Sequence, residues 1–156
     1  MALKIEIVKR SDGAGVLRCT RPDGSVTWQK QSQRFAAHFS YHDLTHFAVE
    51  TTLGYKLGFF GLIALGWDVD DTTGKGTKGP LPPEAGEVEQ VVGLFDSERA
   101  SGILWTVEEF ATYAPPSMSR TLDADAIQAV RTRRAELFRA WGEVAVGGKL
   151  ELEFTG

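Results

Sequence analysis

One cysteine, three histidines and no apolar stretch longer than the eleven residues of 57–67 are what this 156-residue sequence has little of. Each scarcity excludes a class of protein. A lone Cys19 forbids an intrachain disulfide and a cysteine-rich zinc knuckle, and it suits a reducing compartment, so a cytoplasmic location is expected. Eleven apolar residues fall short of the roughly 20 needed to cross a bilayer, so no membrane span is expected. The N-terminal residues 1–6 lack the basic segment and apolar run of a secretory signal. Net charge is −4 with dispersed acids, leaving no dominant basic face to neutralise phosphates; nucleic acid is not an expected partner. What is present is a hydrophobic fraction of 42%, enough for one core and too little chain for two. A single domain spanning 1–156 is expected.

The order of patterns specifies an α+β fold. Residues 4–9, 16–20 and 26–31 read as three strands, the last two joined by Arg21-Pro22-Asp23-Gly24-Ser25, where proline and glycine supply the dihedrals of a tight turn. Residues 33–39 suit either a fourth strand or a covered connection. Ser40, with Asp43 three residues on, approximates a capping box, placing a helix start at Tyr41 and its end near Leu53, before Gly54. A second apolar segment covers 55–67, where Gly54, Gly58 and Gly61 would permit close backbone approach. Residues 68–83 lose all apolar periodicity and are expected as a flexible loop, long enough to act as a lid. Helices are expected over 84–100, with Val88, Val91, Val92 and Phe95 inward, over a short segment opened by Thr106-Val107-Glu108-Glu109, and over 123–146. Leu150, Leu152 and Phe154 alternate with Glu151 and Glu153 in a closing strand. The sum is a small, mainly antiparallel sheet of three N-terminal strands plus a C-terminal one, packed against four to five helices.

Chemistry concentrates in one stretch. All three histidines lie within the nine residues 38–46. On a helix, His42, His46 and Glu50 recur every four residues and form one polar row, with Asp43 at its edge and Leu44, Phe47 and Ala48 opposite. Two imidazoles at i, i+4 can converge on one metal ion. Glu50 lies about 12 Å along the axis from His42, at 1.5 Å per residue, too far to share that ion comfortably. Further ligands must come from elsewhere: His38, or Asp68, Asp70 and Asp71. Glu50 would then orient a ligand or face water. Two other features fail their motifs. Gly74-Lys75-Gly76-Thr77-Lys78-Gly79 lacks P-loop order, and the acids from Asp68 lack the glycine and glutamate of a calcium loop, with Thr73 and Gly79 in those places. Arg131, Arg133, Arg134 and Arg139 give the last helix a basic side, read as a solvated face paired with Glu136 and Glu143.

His42-Asp43-Leu44-Thr45-His46 resembles the H-E-x-x-H helix of zinc metallopeptidases, with Asp43 where that family has its glutamate base. The His42-Asp43 doublet is also similar to that of metal-dependent phosphohydrolases, which take further ligands from distant helices. Two functional expectations follow. In the first, His42, His46 and possible third ligand His38 hold a divalent metal, zinc being the candidate, and Asp43 or Glu50 is the base of a hydrolase acting on a small-molecule or peptide substrate. In the second, the protein is a non-catalytic binding or assembly protein with structural histidines, whose glycine-lined segment packs on a partner or on a second copy in a homodimer.

Overall fold

The computed structural model describes residues 2–30 and 36–155, with side chains described outside 30–38. Strands β1 (Leu3–Lys9), β2 (Gly15–Thr20), β3 (Val26–Lys30) and β4 (Lys149–Phe154) form one antiparallel sheet in the order β3-β2-β1-β4. Two successive hairpins build three of its strands, and the C-terminal strand closes on the free edge of β1. Register pairs Ile5 with both Cys19 and Leu152, and Ile7 with both Leu17 and Leu150. Period-2 alternation therefore gathers Leu3, Ile5, Ile7, Leu17 and Cys19 on one buried face. On the other face Glu6 and Glu151 lie directly opposite, and Lys149 relieves that like-charge pairing by reaching both, at 2.6 and 3.1 Å.

Five α-helices complete the fold: α1 (Ala36–Leu53), α2 (Phe59–Ala64), α3 (Pro83–Ser101), α4 (Val107–Tyr113) and α5 (Ala124–Glu143). The α+β class with an antiparallel sheet and five helices is the architecture the sequence pattern specifies. Helix α1 is the central one, touching β2, α2, α3 and α5. Among the described residues, no helix is long and apolar enough to cross a membrane.

Several boundaries differ from the sequence reading. Helix α1 begins at Ala36, so Ser40 is an interior, fully buried residue and not a cap. Packing of this turn against the core outweighs the local Ser-x-x-Asp capping signal. Of the ambiguous residues 33–39, those at 33–35 lie outside the described residues and 36–39 are helical. The apolar segment 55–67 contracts to the six residues of α2, and α5 stops at Glu143, where Val144 turns extended at ψ 125°. Residues 68–83 contain a 3-10 helix, Val69–Thr73, in which Asp68 and Asp71 cap each other's backbone and Gly74 ends the turn at φ 77°.

Of the four arginines of α5, Arg133 pairs with Glu136 and Arg139 is exposed as the sequence pattern has it, whereas Arg131 and Arg134 depart from a solvated face. Arg131 and Arg134 both reach the Glu98 carboxylate of α3, whose side chain is only 1% exposed. The Trp105 backbone N–H donates to Glu98 Oε2 at 3.0 Å, while Arg131 donates to the Trp105 carbonyl at 2.7 Å and Arg134 to the Phe95 carbonyl at 3.0 Å. One buried acid thus ties α3, the turn before α4, and α5 together. Burial alone would raise the Glu98 pKa, but bonds to Arg131, Trp105 and Arg134 hold it below its ordinary 4.5. A lowered carboxylate contributes stability that is present above pH 4.5 and fades as pH falls through the folded-state value. Glu98→Ala, which leaves two partly buried guanidiniums without their partner, is expected to lower unfolding free energy by about 3 kcal/mol in urea titrations at pH 7. Glu98→Gln is expected to show a shallower loss of stability than wild type between pH 5 and acid. An unchanged acid profile in that variant would show that Glu98 does not carry this dependence.

Candidate metal centre

The site begins with how α1 ends. Gly54 takes φ 71°, the left-handed conformation that glycine adopts without strain, and the Tyr55 N–H returns to the Glu50 carbonyl at 3.0 Å. The chain then reverses and starts α2 beside the last turns of α1. Its N-cap residue, Gly58, has no side chain to offer the free amides. Glu50 supplies the missing acceptor from ten residues upstream: its Oε1 accepts from Phe60 N–H at 3.0 Å and from Gly61 N–H at 3.2 Å. A carboxylate here satisfies donors that would otherwise be buried unpaired, and its charge meets the positive end of the helix. Glu50 is 1% exposed. The same oxygen explains Gly58, since a Cβ there would stand 2.7 Å from Glu50 Oε1; a Cβ on Gly61 would overlap the Lys56 carbonyl. The free space at these two glycines is therefore filled by the chain itself.

The second Glu50 oxygen holds His46. Glu50 Oε2 lies 3.1 Å from His46 Nδ1, and on the other side of the ring Nε2 lies 3.1 Å from Glu89 Oε1 of α3. His46 is 2% exposed, with Phe59 packed at 5.5 Å between ring centroids. Burial disfavours the imidazolium, but hydrogen bonds and charge from Glu50 and Glu89 outweigh it and lift the His46 pKa to about 10. Burial of Glu89 acts to raise its pKa; the bond to His46 overcomes this and holds the carboxyl below the usual range.

His42 sits one turn earlier, its ring edge-on to His46 at 4.9 Å, with Nδ1 2.8 Å from Asp96 Oδ2. The pairs His42–Asp96 and His46–Glu89 make two rungs between α1 and α3, which run in opposite directions. Glu89 and Asp96 are seven residues apart and so share one face of α3. One ligand atom each from His42, His46 and Glu89 lies within 4.8 Å of the others, a grouping that could hold a metal ion. His46 is enclosed, His42 is partly exposed, and the Glu89 side chain is 52% exposed, so the group opens to solvent on the Glu89 side.

The structure distributes the residues singled out from sequence unevenly. It brings His42 and His46 together. The His38 side chain lies outside the described residues. Asp43 is buried at 7% on the side of α1 facing β2, near enough to Cys19 for its charge to add to burial in raising that thiol's pKa to about 12. Glu50 is beneath the histidines with both oxygens engaged. Asp68 is ion-paired with Arg21 at 3.0 Å, Asp71 accepts from Asp68 N–H at 2.9 Å, and Asp70 is exposed; the grouping around His42 and His46 includes none of the three. Glu89 and Asp96 were not singled out by the sequence reading. Their signal was available: each directly follows an inward residue of α3, Val88 or Phe95, which places both acids at the edge of its apolar stripe.

The Glu50 cap gives a direct test. Gly58→Ala is expected to push Glu50 off the α2 amides, lowering stability by about 1–3 kcal/mol and speeding hydrogen exchange at Phe60 and Gly61. Gly86→Ala, on α3 where a Cβ meets nothing within 4 Å, is expected to leave stability unchanged or raise it by up to about 1 kcal/mol. Equal effects of the two substitutions would contradict the cap.

No protein-family model, curated protein or solved structure matches this chain.

Proposed function

We propose that His42, His46 and Glu89 bind one divalent metal ion, with zinc the best fit to two imidazoles and a carboxylate, and that the centre serves hydrolysis of a small-molecule or peptide substrate. The observation that carries the reading is the grouping of those three side chains from two helices, with each histidine's Nδ1 placed on a carboxylate. Such outer carboxylates orient ligating imidazoles and set which nitrogen faces the metal. In this reading Nε2 of each ring ligates, while Asp96 and Glu50 are positioning residues. A bound zinc supplies a Lewis acid able to activate water near neutral pH. The proton acceptor in this reading comes from neither the buried Asp43, nor Glu50, whose oxygens are both engaged, nor Asp96, which sits on the Nδ1 side of the His42 ring.

One observation favours a second, non-catalytic reading. His46 has a carboxylate on each nitrogen, and Glu50 also holds the α2 amides, so the cluster can act as an ionic clasp joining α1, α2 and α3. The readings separate on metal uptake. Titration of zinc into EDTA-treated and desalted protein is expected to show about one equivalent bound. His42→Ala, at the partly exposed ligand, is expected to abolish this uptake while leaving the fold intact by circular dichroism. Glu89→Gln is expected to weaken binding by roughly tenfold or more. Absence of uptake by wild type, or uptake unchanged in both variants, would exclude the metal centre and leave the clasp.

A further inference from the structure

A groove of about 830 Å³ runs between the end of α3, the turn at Leu104 and the outer face of α5. Its walls are uneven in charge. Arg131 and Arg134 line it and share the single carboxylate of Glu98. Arg99 and Arg139 also line it, and among the described residues neither makes an ion pair or hydrogen bond. Two carboxylates, Glu136 and Glu143, lie along the rim. Glu136 is taken by Arg133 at 3.0 Å. The apolar surface comes from Leu104, Phe138, Ala135 and Ala140, and Leu104 is 73% exposed.

Arg99 rests against aromatic rings, and among the described residues no acid pairs with it. Its guanidinium lies 4.5 Å from the centre of the Tyr41 ring and 5.2 Å from that of Phe138, and those rings pack edge to face at 4.7 Å. Contact with two aromatic rings positions the guanidinium without using any of its N–H donors. Contact with both rings restricts the side chain in advance, leaving less freedom to lose on meeting an anion. A pre-placed cation beside exposed apolar surface, in a chain whose net charge is −4, marks the groove as a local exception to the protein's own field.

We propose that this groove binds a small organic anion, with a carboxylate or phosphate head on Arg99 and an apolar body against Phe138 and Leu104. Arg139 supplies the second cation. The site is separate from His42, His46 and Glu89 and does not depend on a metal.

The test is titration of isotope-labelled, EDTA-treated protein followed by amide chemical shifts, with phenyl phosphate and benzoate as probes and benzyl alcohol and inorganic phosphate as controls. Saturable shifts at Arg99 and along 128–143 with an aromatic anion, and weaker binding of both controls, are expected; the tighter aromatic probe identifies the preferred head group. Arg99→Gln is expected to weaken that binding by roughly tenfold or more, while Arg18→Gln, on the exposed face of β2, leaves it unchanged. Absence of saturable shifts overturns the proposal. So does equal affinity of Arg99→Gln and wild type, equal binding of benzyl alcohol, or shifts centred on His42 and Glu89. Because metal is excluded throughout, failure of the metal centre would not alter these outcomes.

Discussion

The buried contact between Glu50 and His46 is the interaction on which the arrangement of the helices around the site depends. A carboxylate with 1% exposure is costly unless both oxygens have partners, and Glu50 meets that condition by two unlike means. One oxygen is held by backbone amides at the start of α2, the other by an imidazole on its own helix. Removing either partner would expose the other to an unpaired charge. The reversal at Gly54, the missing side chain at Gly58 and the orientation of His46 are therefore parts of one solution to a single desolvation problem.

Around that fixed point the carboxylates divide by depth. Glu50 is enclosed and orients, whereas Glu89 and Asp96 come from a second helix and face outward. Antiparallel packing of α1 on α3 brings the two sets into register, because residues four apart on one helix meet residues seven apart on the other. Glu98 continues the same logic on the opposite side of α3, where it gathers two arginines of α5. Helix α3 thus carries acids on both flanks of its apolar stripe, one flank facing histidines and the other facing arginines. The groove beyond Glu98 differs in kind, since Arg99 is held by rings and not by charge.

Much of the fold was legible because its signals are local and repeated. Alternation in β1 and β4, the Pro22-Asp23-Gly24 turn, the capping box at Thr106 and the apolar stripe of α3 each place an element within a few residues of where it lies. The start of α1 was not legible: Ser40 has the residue type of a cap, and only its burial in the assembled core decides otherwise. Within the site, the i, i+4 pair at His42 and His46 could be read directly. The partners of that pair could not, since Glu89 and Asp96 lie more than forty residues away and reach it only through helix packing. The role of Glu50 was hidden for the same reason, as its place beneath α2 follows from a chain reversal that periodicity does not encode.

Whether His42, His46 and Glu89 hold a metal from two helices, as proposed, is examined most directly by X-ray absorption spectroscopy of the zinc-loaded protein. A shell of two imidazole nitrogens near 2.0–2.1 Å, with the remaining ligands oxygen and no sulfur, is the expected result. Replacing Glu89 by Gln should alter the oxygen part of the shell and leave both imidazoles in place. A shell containing one imidazole or none, or one unaffected by Glu89→Gln, would contradict the centre described here.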